Sequence, residues 1–270
     1  MYNVKVKDYG NGQVQTRIYS HPVYTGDKSK PERQEMSETP FEPGVMVPVV
    51  FEFEDAEKQH ERSVSVSMKR AKQKIYDLSR ANEWEYFVTL TFDPNKVHRY
   101  DYTDCVKKLS KWLNHMRPLC GPDFKYLVVP ELHKDGAYHF HGLFAGCDGI
   151  EIVDSGHVTR SGDTIYNFGK YKLGWSTATK VAVNEAVTKY ITKYCTKELV
   201  ENTKNKRRYW ASRNLDVPAE TTIMMDYQDT VLLHEELVSD DIQHFKTTNY
   251  WIGPARRAVS YYEHLEGDTE

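Results

Sequence analysis

The chain has 270 residues, a formal net charge of −3 and a hydrophobic content of 39%, which fits a globular rather than a disordered protein. No run of about 18 apolar residues predicts a membrane span, and the first ten residues, MYNVKVKDYG, lack the apolar core of a signal peptide. Four scattered cysteines without a CxxC pair predict reduced thiols and no zinc framework. We therefore expect a cytoplasmic protein with no membrane partner, in one large domain with appendages.

The first 58 residues are predicted to form an N-terminal extension. Alternating residues at 4–6 and 14–19 flank the turn signal YGNG, a pattern that predicts a β-hairpin. The Pro- and Gly-bearing stretch 25–44 predicts a loop. Helix formers and apolar spacing then predict a helix over 64–84, which leads into the main domain.

Residues 59–215 are predicted to form that main domain. The stretch YFVTLTF, Tyr86 to Phe92, alternates apolar residues with threonines and predicts a strand. Periodicity and turn residues predict the following further elements: a helix at 103–116 closed by Pro118, an antiparallel hairpin of strands 124–129 and 138–145, strand-like patches at 150–153 and 177–181, and a helix at 184–200.

Charge is unevenly distributed along the second half of the chain. Residues 170–213 carry eleven Lys and Arg against three acids, a local charge of +8, whereas residues 214–270 carry twelve acids against three bases, a local charge of −9. The basic segment could follow a phosphate backbone, although a solvated helix face has the same composition. Residues 216–270 are predicted to be an acidic C-terminal extension.

Two histidines flank one apolar residue in YHFHGLF, Tyr138 to Phe144. On a strand His139 and His141 point to the same face, and Glu131 lies across the predicted hairpin turn, beside them. Two imidazoles and a carboxylate suit Mg²⁺ or Mn²⁺ with positions left for substrate oxygens. His133 is a competing ligand that ranks lower because it falls in the turn. The pattern alone is equally that of surface histidines.

Tyrosines and lysines alternate in YITKYCTK, Tyr190 to Lys197. Four residues apart on a helix, Tyr190 and Tyr194 project from one face, with Lys193 and Lys197 close to it. An amphipathic helix with snorkelling lysines is one interpretation. The other is a phenol nucleophile, which attacks a phosphodiester only with positive charge nearby, since its ordinary pKa is near 10.

Taken in order, the strand YFVTLTF, the strand YHFHGLF and the helix YITKYCTK resemble the motifs of rolling-circle replication initiators, the Rep branch of the HUH endonucleases, in particular those of small single-stranded-DNA phages and related plasmids. The resemblance spans residues 60–215. It implies an α+β fold, an antiparallel sheet of about five strands with flanking helices. It also implies a divalent metal held by the two histidines and a tyrosine that nicks single-stranded DNA at an origin hairpin.

By position, the resemblance makes Tyr194 the nucleophile of a YxxK motif, with Tyr190 its partner if two tyrosines alternate. Lys193 and Lys197 then orient the phosphate or stabilise charge, and His139, His141 and Glu131 hold Mg²⁺ or Mn²⁺. Attack by tyrosine yields a 5′-phosphotyrosine adduct that can later be rejoined. A further set of basic residues is a candidate for DNA binding by charge and base stacking: Lys206, Arg207, Arg208 and Arg213.

Other interpretations share parts of this pattern. An HUH relaxase or single-strand transposase uses the same chemistry, and a noncatalytic origin-binding protein would keep the fold alone. The sequence has no GxxxxGK[ST] phosphate loop, so the resemblance implies that a separate host helicase and polymerase act in the bacterial cytoplasm.

Overall fold

We describe a computed structural model over residues 1–24, 56–203, 206–239, 242–252 and 255–265. The chain divides into two compact units, one formed by Ala56–Pro218 and the other by Met1–Asp55 together with Ala219–Glu270. The two predicted extensions thus contribute to the same unit, a pairing that no local sequence pattern indicates. The predicted loop 25–44 lies outside the described residues.

Strands and helices alternate irregularly along the described chain. The strands are β1 (Tyr2–Asp8), β2 (Gln13–Val23), β3 (Tyr86–Phe92), β4 (Lys125–Leu132), β5 (Tyr138–Ala145), β6 (Ile152–Val158), β7 (Thr164–Phe168), β8 (Gly174–Lys180), β9 (Trp210–Ala211), β10 (Ala219–Ile223), β11 (Ile242–Ile252) and β12 (Ala255–Leu265). The helices are α1 (Ala56–Arg80), α2 (Tyr102–Cys120), α3 (Asn184–Ile191), α4 (Lys197–Asn202) and α5 (Tyr227–Ser239), with a 3₁₀ turn at Thr192–Tyr194. Among these described helices, none is long and apolar enough to cross a membrane.

The unit 56–218 is built on a seven-stranded antiparallel sheet in the order β6-β7-β8-β3-β5-β4-β9. Because side chains alternate along each strand, the sheet has two distinct faces. One face packs on α2 through Leu109, Trp112 and Leu113, and the other packs on α1, α3 and α4 through residues such as Ile75 and Ile191. The α+β class with antiparallel sheet and flanking helices is confirmed.

The other unit contains a five-stranded antiparallel sheet in the order β10-β1-β2-β12-β11. Leu237 of α5 is buried against Ile18 and Tyr262 of this sheet. The predicted N-terminal hairpin is confirmed as β1 and β2. Residues 216–270, predicted only as an acidic extension, supply three of the five strands and the helix.

Several predicted boundaries are wrong by a few residues. The predicted helix 64–84 spans Ala56–Arg80, and α2 continues past Pro118 to Cys120, where Gly121 adopts a φ of 84° and its N–H bonds the Arg117 carbonyl. That left-handed conformation favours glycine and ends the helix. β4 likewise runs through Pro130, which lies beyond the two residues that pair with β9 and so occupies a sheet edge.

The predicted continuous helix 184–200 is wrong. α3 ends at Ile191, and the chain passes through the 3₁₀ turn before α4 begins at Lys197. Cys195 leaves the helical region with a ψ of 81°, and the Thr196 side chain caps α4 by accepting a bond from the Leu199 N–H at 3.1 Å. Threonine offers the backbone such a local alternative to the helical bond, which propensity does not reveal.

Candidate active site

Three neighbouring strands bring the predicted site residues together. In the β4–β5 pair Glu131 lies directly opposite His139, and in the β3–β5 pair Thr91 lies opposite His139 and Thr89 opposite His141. Residues directly opposite in antiparallel strands project to the same face. The two histidines, the carboxylate and two threonines therefore share the sheet face that α1, α3 and α4 cover in part.

His141 is the most constrained member of the group, with 6% of its surface exposed. Its Nε2 lies 2.7 Å from Glu131 Oε2, and its Nδ1 lies 3.1 Å from Thr89 Oγ1. A hydroxyl both donates and accepts, so Thr89 can bond either tautomer of the ring. Hydrogen bonding from His141 and the nearby imidazoles lower the pKa of Glu131, which keeps the carboxylate ionised.

His139 lies at the more open end of the same strand. Its Nδ1 is 3.2 Å from Thr91 Oγ1, and its ring stacks on the His133 ring with centroids 4.0 Å apart. His133 Nε2 is also 3.6 Å from Glu131 Oε2, so this residue of the turn joins the group. Burial and the two neighbouring imidazoles lower the pKa of His139, which favours the neutral ring that metal binding requires.

Tyr194 lies directly on His141. The two rings are parallel, with an interplanar angle of 10° and centroids 3.6 Å apart. Tyr190 packs edge-on against Tyr194 at 5.4 Å, and Phe87 of β3 contacts both tyrosine rings. The break in the predicted helix therefore still leaves the two phenols adjacent, and it places one of them against the histidines.

The phenol of Tyr194 is held in its protonated form. Burial, a hydrogen bond with Tyr190 and the charge of Glu131 raise the pKa of Tyr194. The Lys193 ammonium lies 5.3 Å from the centre of the Tyr190 ring, on the partner tyrosine rather than on Tyr194. Lys197 begins α4, and its side chain lies outside the described part of the structure.

The donor chemistry of the group fits a divalent metal. Each histidine has its Nδ1 within hydrogen-bond distance of a threonine hydroxyl, the kind of support that fixes the orientation of a metal-binding imidazole. Glu131 adds a carboxylate oxygen. Among the described residues, however, no three His, Cys, Asp or Glu side chains are already gathered as a metal site.

The basic run divides between two sides of the sheet. Arg207 and Arg213 line a cavity of about 220 Å³ together with Arg117 of α2, whereas Arg208 lines a different cavity beside α1 and α4. Lys206 lies over the Tyr102 ring at 5.3 Å. These residues therefore do not form one continuous surface, because neighbouring residues of an extended segment point in opposite directions.

The site residues coincide with a family match. Residues 85–199 match the family of replication-associated proteins of the ORF2 type. The match covers less than half of the 270 residues, and it runs from β3 to the start of α4, so it includes the two threonines, Glu131, both histidines and both tyrosines. It supports a function in DNA replication. No curated protein and no solved structure matches the chain.

Sequence reasoning missed Phe87, Thr89 and Thr91 as site residues and ranked His133 too low to expect its stacking on His139. The alternation of YFVTLTF does place all three β3 residues on one face. Which strand pairs with β5 decides that they face the histidines, and that pairing is not a local property of the sequence.

Proposed function

We propose that this protein is a replication initiator that nicks single-stranded DNA by tyrosine attack on a phosphodiester. The observation that carries the proposal is the 3.6 Å stacking of Tyr194 on His141, which is itself hydrogen-bonded to Glu131. A candidate nucleophile thus touches a candidate metal-binding pair. The match to replication-associated proteins favours replication over plasmid transfer or transposition.

His139, His141 and Glu131 would hold the metal, Mg²⁺ or Mn²⁺. When bound, such an ion withdraws charge from phosphate oxygens and counters the negative charge that develops during attack. The threonines would keep the imidazoles turned toward the ion. His133, stacked on His139 and 3.6 Å from Glu131, is positioned to replace or supplement a ligand.

Tyr194 is the proposed nucleophile and Tyr190 its partner. Its raised pKa means that the phenol is protonated at neutral pH and must lose its proton as it attacks. The new bond joins the phenol oxygen to phosphorus, and the bond to the 3′ oxygen breaks, which leaves a 3′-hydroxyl and a 5′-phosphotyrosine. Reversal of these two bond changes rejoins the strand without another energy source.

Covalent capture tests the proposal. We expect wild-type protein with Mn²⁺ or Mg²⁺ to form an adduct with single-stranded DNA that contains its origin, detected as a shifted band on a denaturing gel. The double substitution Tyr190→Phe with Tyr194→Phe should abolish the adduct while single-stranded DNA binding persists. Each single variant then shows whether one tyrosine or both can attack.

Tyr227→Phe is the matched control, because Tyr227 is 83% exposed and belongs to the other unit. It should form the adduct at the wild-type rate. An adduct that survives in the double variant would disprove the tyrosine assignment. DNA binding by the wild type with no adduct under any divalent metal would instead favour a noncatalytic origin-binding protein.

A further inference from the structure

One tryptophan stands apart from the others in the unit 56–218. Trp84, Trp112 and Trp210 are at most 7% exposed, whereas Trp175 of β8 is 61% exposed. Trp175 also has no aromatic, cationic or hydrogen-bonding partner within the part of the chain that the structure describes. Single exposed apolar residues are common on proteins, so its position has to carry any argument.

That position is in the same cross-strand row as the candidate site. Trp175 lies directly opposite Thr91, Thr91 lies opposite His139, and His139 lies opposite Glu131. All four side chains therefore project to the same face of the sheet. With neighbouring strands about 4.8 Å apart, two strand spacings of roughly 10 Å separate the β8 and β5 backbones.

The face of the sheet around Trp175 is open. The apolar core on this face contains residues of α1, α3, α4 and of strands β3, β4 and β5, but among the described residues it contains none from β6, β7 or β8. The alternate residues of β8, Ser176 and Ala178, are buried on the opposite face. The indole is thus open to solvent on the histidine face, at a place where no helix of the described structure covers the sheet.

We propose that Trp175 is a base-stacking residue that holds a nucleotide of the substrate strand next to the scissile phosphate. This inference rests on the proposed function and names a contact that it needs. Phosphate chemistry at the histidines requires the flanking bases to lie somewhere on the same face, and an unpartnered indole offers a flat π-surface to any of the four bases. Continuity with the histidine row favours a base over a protein partner.

Direct binding tests the inference on the full chain without added metal. The probe is a fluorescently labelled oligothymidylate, because stacking on an aromatic ring tolerates any base. Trp175→Ala should weaken binding roughly five- to 150-fold, while Trp175→Phe should stay close to wild type. Trp175→Leu, which keeps apolar area but lacks a π-surface, should resemble Trp175→Ala. Binding should also quench the tryptophan fluorescence of the wild type more than that of Trp175→Phe.

The outcomes separate this inference from the proposed function. Wild-type binding and adduct formation with an unchanged Trp175→Ala would overturn the stacking role alone. Equal losses of affinity for single-stranded and duplex DNA would also overturn it, as would a change of oligomeric state without a change of DNA affinity. A wild type that neither binds single strands nor forms an adduct would overturn the proposed function, and the stacking role with it. Circular dichroism of the three variants controls for folding.

Discussion

Thr89 and Thr91 stand behind the two histidines, and their role is the sharpest question at the scale of single residues. Each hydroxyl lies 3.1 to 3.2 Å from an imidazole Nδ1, one for each histidine. Such partners fix which nitrogen faces the metal and how the ring is turned. In this protein the β3 motif would therefore serve the metal site rather than only the core.

We expect Thr89→Val and Thr91→Val each to lower Mn²⁺ affinity by about 10- to 100-fold, since the imidazole loses its orienting partner while the side-chain volume is nearly kept. Titration calorimetry measures the affinity. Thr→Ser at the same positions keeps the hydroxyl and should restore most of it. Thr179→Val, on the same face of β8 but opposite Phe87, is the matched control. Unchanged Mn²⁺ affinity in both valine variants would argue against this role.

Ion pairs between strands stabilise the five-stranded sheet at the scale of elements. Glu220 of β10 lies 2.7 Å from the Lys5 ammonium and 3.1 Å from that of Lys7 on β1. The hydrogen bond from Lys5, followed by the contacts with Lys7, lowers the pKa of Glu220 from an ordinary 4.5 to about 2. This pairing joins the C-terminal part of the chain to the N-terminal hairpin.

A carboxyl group whose pKa is depressed on folding stabilises the folded state above its unfolded pKa and loses that contribution as pH falls toward the folded pKa. Glu220→Gln should therefore lower the melting temperature at pH 7, and the difference from wild type should shrink as pH falls from about 4.5 toward 2. Calorimetry across this pH range measures it. Because Glu220 is partly exposed, salt should also reduce the difference. A difference that does not change with pH would exclude the ion pairs as its cause.

Charge distribution decides how the whole molecule can meet DNA. The net charge of −3 is unfavourable for a DNA-binding protein, but Arg117, Arg207 and Arg213 line one cavity that has no carboxylate among the described residues of its wall. All three guanidinium groups act on the pKa of Tyr126 nearby, in opposition to the burial that raises it. Convergence of three cations in one place suits a phosphate group.

Replacing Arg207 and Arg213 by glutamine should weaken single-stranded DNA binding and make it less dependent on salt. If each arginine contacts one phosphate, the slope of log affinity against log salt should fall by roughly 0.7 per arginine removed. Binding measured between low and moderate salt gives the slope. Arg256→Gln, in the other unit, makes the same kind of charge change as a control. An unchanged slope in the double variant would remove this cavity from the DNA path.

The sequence by itself determined the local elements and the chemistry they carry. Strands Tyr86–Phe92 and Tyr138–Ala145 have their predicted bounds, because alternation of side chains is a local property of a strand. It also placed Glu131 beside the histidines, since a hairpin turn fixes the register of its own two strands.

Only the tertiary structure decided which elements meet. The pairing of β3 with β5 brings Thr89 and Thr91 to the histidines, and the pairing of β3 with β8 brings Trp175 into the same row. The sheet that joins residues 2–23 to 219–265 closes over nearly the whole length of the chain. Such contacts depend on burial summed over distant segments, and no local pattern of residues encodes that sum.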